Sequence, residues 1–321
     1  MTYHHSLTLI LLAFVLWLPA CGPAVPSATP APSPTATATF PTNTPTRLPP
    51  TSTPTPAPCN PASVDFCIEN GYFVFQPPIA PTGKDTVVRG YPYGSTQGGK
   101  RDPHHGVEFE DPAKTPVLAA ADGIVYYAGN DKDTLFAAGP NFYGNLVVIK
   151  HDLSGTPYET LYTLYAHLSK IEVTTNQAVT VGQEIGQVGM TGAALGNHLH
   201  FEVRIAPQDS GSTLNPELWL IPHAGNGALA IRAADKTGMN ISPDLNLQYY
   251  SDPKKPAVAS YLVDPYAPET VNPGDIWNEV AAIGDLPAGR YRVTMIWEAT
   301  LYIKWIDIQP GKLTLVAFVT K

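Results

Sequence analysis

Two histidines stand two residues apart in the run Asn197-His198-Leu199-His200-Phe201-Glu202. In a strand, residues i and i+2 face the same side, with Cβ atoms roughly 7 Å apart. One ring can then bind a metal while the other reaches the water beside it. Upstream, His104-His105-Gly106-Val107-Glu108 and Tyr165-Ala166-His167-Leu168 add two further potential ligands and a third catalytic imidazole. In a straight strand His104 and Glu108 would lie about 13 Å apart, too far to share an ion. A turn at His105-Gly106 brings them together, and glycine permits such a turn. With His200 added from a separate strand, the set is two imidazoles and one carboxylate, with a fourth position left for water. That is the ligand count of a catalytic zinc site, in which zinc lowers the pKa of the water toward neutrality. His198 and His167 complete the chemistry. One takes a proton from the water, and the other stabilises the oxyanion or protonates the leaving amine. The sequence leaves these two roles unassigned between them.

The elements that must position these residues are short strands. Gly123–Gly129, Asn145–Lys150 and Leu161–Tyr165 are β-branched and aromatic runs separated by turn formers, and no long helical period appears. Residues 83–222 therefore read as an all-β or nearly all-β unit, with one short helical turn at Pro216–Leu220. Residues 223–321 form a second segment. Its strand candidates are Tyr291–Trp297, Leu301–Trp305 and Leu313–Val319, divided by turns at Pro287-Ala288-Gly289 and Gln309-Pro310-Gly311. That pattern predicts a small β-sandwich acting as a binding or spacer module. The fold class is thus mainly β, a catalytic β-sheet domain followed by an accessory sandwich.

The rest of the chain speaks of compartment. Leu7–Trp17 is apolar and too short for a membrane span, which needs about 20 residues. It runs into Leu18-Pro19-Ala20-Cys21-Gly22, which resembles the lipobox of bacterial lipoproteins. Residues 1–21 thus read as a signal peptide, with acylation at Cys21 implied and the membrane as a partner through that anchor. Residues 22–58 are almost entirely Pro, Thr, Ser and Ala, a composition that cannot bury a core and favours extended polyproline II. Such a tether would let the domain search its surroundings. A lead-in, residues 59–82, carries Cys59 and Cys67, the two cysteines left once Cys21 is lipidated. In an oxidising compartment they can bridge, adding roughly 2–3 kcal/mol for so small a loop. The expected location is extracytoplasmic, either lipid-anchored to the outer face of the cell membrane or secreted. Charged residues are 14% of the chain, the net charge is −8 and no Lys/Arg cluster is present, which argues against nucleic acid. The chain is expected to be a monomer.

Five stretches resemble, in order, the LytM/lysostaphin-type zinc metallopeptidases. They are His104–Phe109, Thr115–Gly123, Tyr165–Leu168, Gly182–Gly192 and His198–Glu202. The resemblance covers about residues 100–205. It implies a β-sheet groove fold of the duplicated hybrid motif type with Zn2+ at the groove floor. It also implies hydrolysis of peptide stems or cross-bridges of bacterial peptidoglycan. Carried over, His104, Glu108 and His200 match the zinc ligands, and His198 and His167 match the catalytic histidines. His105 would break the family spacing to Glu108. The family usually has Asp at the position of Glu108, so the extra methylene must be accommodated by the loop. A non-catalytic wall-binding relative, an activator of another hydrolase and an adhesion module are the alternative readings. Among the other residues, His151 reads as a strand-end surface residue and His223 as lacking a partner. Asn197, Tyr143 and Asn145 read as turn residues near the groove.

Overall fold

The computed structural model describes residues 59–266, 271, 274 and 276–320; the expected signal segment (1–21) and the Pro/Thr/Ser-rich segment (22–58) lie outside them. Among the described residues there is no α-helix. Two 3-10 turns occur, Ser210–Ser212 and Pro216–Leu218, the second capped by the Asn215 side chain accepting from the Glu217 N–H. Among the described residues no helix is long and apolar enough to cross a membrane.

The part of the chain before residue 222 is built on a seven-stranded sheet. Its order is Thr213–Leu214, Leu199–Arg204, Thr160–Ala166, Asn145–Asp152, Gly123–Asn130 and Ala178–Val179, with Val107–Phe109 also paired to Leu199–Arg204. All the pairings in this sheet are antiparallel. Leu199–Arg204 is buried on both faces although its sequence alternates strictly, with Leu199, Phe201 and Val203 on one face and His200, Glu202 and Arg204 on the other, where the polar groups bond to one another. A three-stranded sheet of Pro116–Leu118, Glu184–Gln187 and Lys170–Ile171 accompanies it.

Two four-stranded sheets make the sandwich expected after residue 222. One is Cys67–Glu69, Leu313–Val319, Asn226–Ala234 and Ala281–Pro287; the other is Ala259–Tyr261, Asp244–Tyr250, Gly289–Trp297 and Thr300–Ile308. Leu229, Ile231 and Val316 from the first meet Leu247, Val293 and Ile306 from the second in one core cluster. The lead-in belongs to this architecture, because Cys67 pairs in register with Leu315. Cys59 and Cys67 form a disulfide with Cα atoms 5.8 Å apart. A second cluster joins Phe75, Val107, Tyr165 and Trp219 to Ala228, Ala230, Leu313 and Leu315, so the segments before and after residue 222 share core.

Candidate active site

The register of one strand assembles the site. Leu199–Arg204 places His200 opposite Ala166 on one side and opposite Glu108 on the other. Directly opposed residues have Cβ atoms roughly 5 Å apart, so the pairing itself brings Glu108 to His200. His167 follows Ala166 immediately, and His198 lies just before the strand, bridged to Gly189. The chain bends at Gly106 before Val107–Phe109, which brings His104 back over Glu108. The need for glycine here is space. An added Cβ at Gly106 would meet the Phe201 carbonyl oxygen at 2.4 Å.

The five expected residues converge. His104 Nε2 lies 2.8 Å from Glu108 Oε1 and 3.3 Å from His200 Nδ1, and His200 Nδ1 lies 3.1 Å from Glu108 Oε1. One face of a tetrahedral zinc site with bonds near 2.1 Å has edges of about 3.4 Å. The three donor atoms therefore form a triangle of the right size and donor type for that ion. Glu108, with its longer side chain, reaches the cluster. His105 turns away, its Nδ1 donating to the Ser210 carbonyl, and takes no part. The Tyr91 ring stacks on His104 with centroids 4.0 Å apart and planes 10° apart, fixing that imidazole from the side.

Burial and charge compete at these groups. Burial lowers the pKa of His104, with Glu108 opposing. Burial also works against ionised Glu108, yet His200 and His104 hold it well below the usual carboxylate range. Burial opposes a charged His200, but Glu108 and then Glu202 outweigh it and push the imidazole up to about 9. A carboxylate set between imidazoles is a cluster organised around positive charge.

His198 and His167 stand beside this triangle with ring centroids 4.8 Å apart. Each is held through Nδ1 by a backbone carbonyl, Gly196 for His198 and Thr191 for His167, both at 2.9 Å. An Nδ1–H donated in this way leaves Nε2 as the nitrogen that exchanges protons. His198 Nε2 is 3.1 Å from Glu108 Oε2. His167 has φ +62°, a left-handed backbone that histidine visits more readily than most residues. Burial, His200 and His198 together lower its pKa to about 4, so it is neutral at pH 7.

Three residues without an assigned role in the sequence lie behind His200. Glu202 Oε1 accepts from His200 Nε2 at 2.8 Å and from the Tyr143 hydroxyl at 2.5 Å. Arg204 Nε donates to the other carboxylate oxygen at 2.5 Å. Tyr143 lies in the bend before Asn145–Asp152, and its ring also sits 5.6 Å from that of His200. A signal was present, because His198, His200, Glu202 and Arg204 are spaced i, i+2, i+4 and i+6 and so share one face of the chain.

The remaining sequence expectations divide. Asn197 is exposed, and Asn145 opens the strand Asn145–Asp152 rather than sitting in a turn, its side chain donating to the Leu168 carbonyl. His151 is fully buried rather than a surface residue. Its Nδ1 is 2.8 Å from the Asp122 carbonyl and its Nε2 is 2.7 Å from Thr163 Oγ1. His223 does have partners, Asp285 through Nδ1 at 2.8 Å and Asp85 through Nε2 at 3.0 Å. Both partners come from distant parts of the chain, which local sequence cannot display.

Comparison with known proteins supplies the remaining findings. Residues 102–216 match the model of Peptidase family M23. Over 117 residues the chain is 39% identical to the cell division protein DipM of Caulobacter vibrioides, covering 36% of this chain and 17% of that protein. Over 101 residues it is 41% identical to the peptidoglycan DD-endopeptidase ShyA of Vibrio cholerae, covering 32% of this chain and 20% of that protein. The chain thus spans about a fifth of the length of these relatives. It also aligns with the catalytic domain of the antimicrobial peptidase lysostaphin from Staphylococcus simulans. That match has 28% identity, 40% of this chain, 89% of that one and a TM-score of 0.32.

Proposed function

We propose, from the match of residues 102–216 to Peptidase family M23 and from the site's geometry, that this protein is a zinc-dependent endopeptidase cleaving peptides of bacterial peptidoglycan. The observation that carries the reading is the convergence of His104 Nε2, Glu108 Oε1 and His200 Nδ1 within 3.3 Å of one another, with two further histidines alongside. These three atoms would hold the zinc. When bound, zinc supplies Lewis acidity that activates water and polarises the scissile carbonyl.

The chain's own residues supply the proton transfers. His198, with Nδ1 fixed on the Gly196 carbonyl, takes a proton at Nε2 on the side facing Glu108. His167, fixed through the Thr191 carbonyl with Nε2 bare while neutral, would take up at Nε2 the proton that His198 removes, its ring centroid 4.8 Å away, and so bear a proton toward the developing oxyanion or pass it to the leaving amine. Its lowered pKa makes the protonated form a strong acid for that transfer. Tyr91 covers His104 and limits its motion.

The surroundings are consistent with an extracytoplasmic enzyme. The Cys59–Cys67 disulfide fits an oxidising compartment. We read Cys21 as the lipid anchor, residues 22–58 as the tether, and residues 223–321 as an accessory module fastened to the peptidase part through shared core. The test is zinc content and hydrolysis of purified peptidoglycan on one preparation of the full chain, with and without a chelator. The expected result is about one zinc per chain and chelator-sensitive release of new amines. Zinc-free protein that releases no amines would refute the reading.

A further inference from the structure

We propose that Glu202 is a positioning residue that keeps a proton on His200 Nε2, so that the Nδ1 lone pair of His200 is available to the metal. The inference rests on the zinc reading above and adds to it the residue that prepares one ligand. Neutral imidazole carries its proton on one nitrogen only, and the hydrogen bond made by one nitrogen decides the state of the other. His200 Nδ1 points to His104 and Glu108, and Nε2 points to Glu202. With a metal at Nδ1, only the form with the proton on Nε2 suits both.

Glu202 is built for this task. It has no solvent exposure, and neither does Arg204. Its carboxylate is acceptor-only, so it cannot offer a proton to His200. It cannot turn away either. One oxygen accepts from His200 and Tyr143, the other from Arg204 Nε. Arg204 is pinned in turn by the carbonyls of Phe136 and Pro207 and by the Tyr143 hydroxyl.

Glu202→Gln tests the assignment with almost no change of shape. Arg204 is a fixed cation and demands the amide oxygen, so the amide NH2 must face His200. A donor there selects the opposite imidazole form, with Nε2 bare and a proton on Nδ1 toward the metal position. The zinc dissociation constant should rise roughly 10- to 100-fold, as for loss of other outer partners of metal-bound histidine. Two readouts separate this effect from simple damage. Circular dichroism of metal-free Glu202→Gln should keep the wild-type β signature at the assay temperature, even though buried Arg204 loses its anion and the melting temperature falls, and nitrogen-15 NMR of the full chain should lose the Nε2-bound proton of His200. Zinc affinity within two-fold of wild type would overturn the proposal. A wild-type His200 with no proton on Nε2 would overturn it without any variant. If wild-type protein bound no zinc, the proposed function would fall, while the NMR result would still decide this inference in the metal-free protein.

Discussion

Gly106→Ala is the most demanding test of how the site is held. A methyl group there would lie 2.4 Å from the Phe201 carbonyl oxygen and 2.9 Å from both Glu202 Cγ and His200 Cε1, against ordinary contact at 3.4 Å and beyond. Relief needs 3.4 − 2.4, or about 1.0 Å of movement. The struck atom belongs to a strand paired on both edges, so it yields little. The segment carrying His104 and Glu108 must move instead. Metal sites tolerate displacements of about 0.2 Å. A shift five times larger should cost at least about 100-fold in zinc affinity, or about 2.7 kcal/mol. Hydrolysis should fall with it. Competition with a chelating dye gives the affinity, and a thermal melt of the metal-free protein shows that the strands persist. A Gly106→Ala protein that binds zinc within two-fold of wild type would refute the reasoning, because Glu108 would then owe nothing to the close approach.

Three further outcomes are expected. His198→Ala and His167→Ala should keep zinc while turnover falls by about 10²–10⁴-fold, measured on one substrate with metal content checked by mass spectrometry; loss of the metal in either would end the division into ligands and catalysts. Glu108→Asp should weaken zinc binding, because the carboxylate retreats by about one carbon–carbon bond, roughly 1.5 Å, from a position it now fills; unchanged or tighter binding by calorimetry would show a loop built for aspartate. His151, buried and depressed to about 4 by desolvation, should give the fold a pH dependence of definite sign. Its contribution is complete above the unfolded value near 6.5 and is lost as pH falls through 4, up to about 3 kcal/mol. Urea unfolding of wild type against His151→Gln between pH 7.5 and 4 reads it as a difference, and equal slopes would contradict it.

The chemistry was more legible in the sequence than its support. Each of the three histidine-bearing runs keeps its functional residues within a few positions, so local spacing exposes them. The strands at Gly123–Asn130, Asn145–Asp152 and Thr160–Ala166 were marked by aromatic and β-branched runs. Asn226–Ala234 and Ala281–Pro287 were not, being rich in alanine and glycine, poor strand formers that owe their state to sheet neighbours. The register that opposes His200 to Glu108 could not be read, because the two strands are far apart in sequence. His151 was misjudged for a similar reason. Its burial follows from a place in the middle of a sheet, where Thr163 and the Asp122 backbone answer both ring nitrogens.

One strand row ties these strands of argument together. Along His198, His200, Glu202 and Arg204 the side-chain exposure falls from 17% to 6% to 0% to 0%. In the proposed reaction, proton transfer needs the exposed end, which substrate and water can reach. Orientation needs the buried end, where low dielectric makes each ionic hydrogen bond strong and each unpaired charge costly. The order of charges follows from the same requirement. Buried Arg204 demands an anion, Glu202 answers it, and Glu202 in turn demands donors, which Tyr143 and His200 provide. Removing one partner of such a buried pair costs about 3–5 kcal/mol. The group that orients His200 is therefore also a group the sheet cannot lose cheaply. Glu202→Gln removes the charge but keeps a side chain that fills the same space and bonds to Arg204 and His200, whereas truncation to alanine would also leave a cavity and unpaired donors.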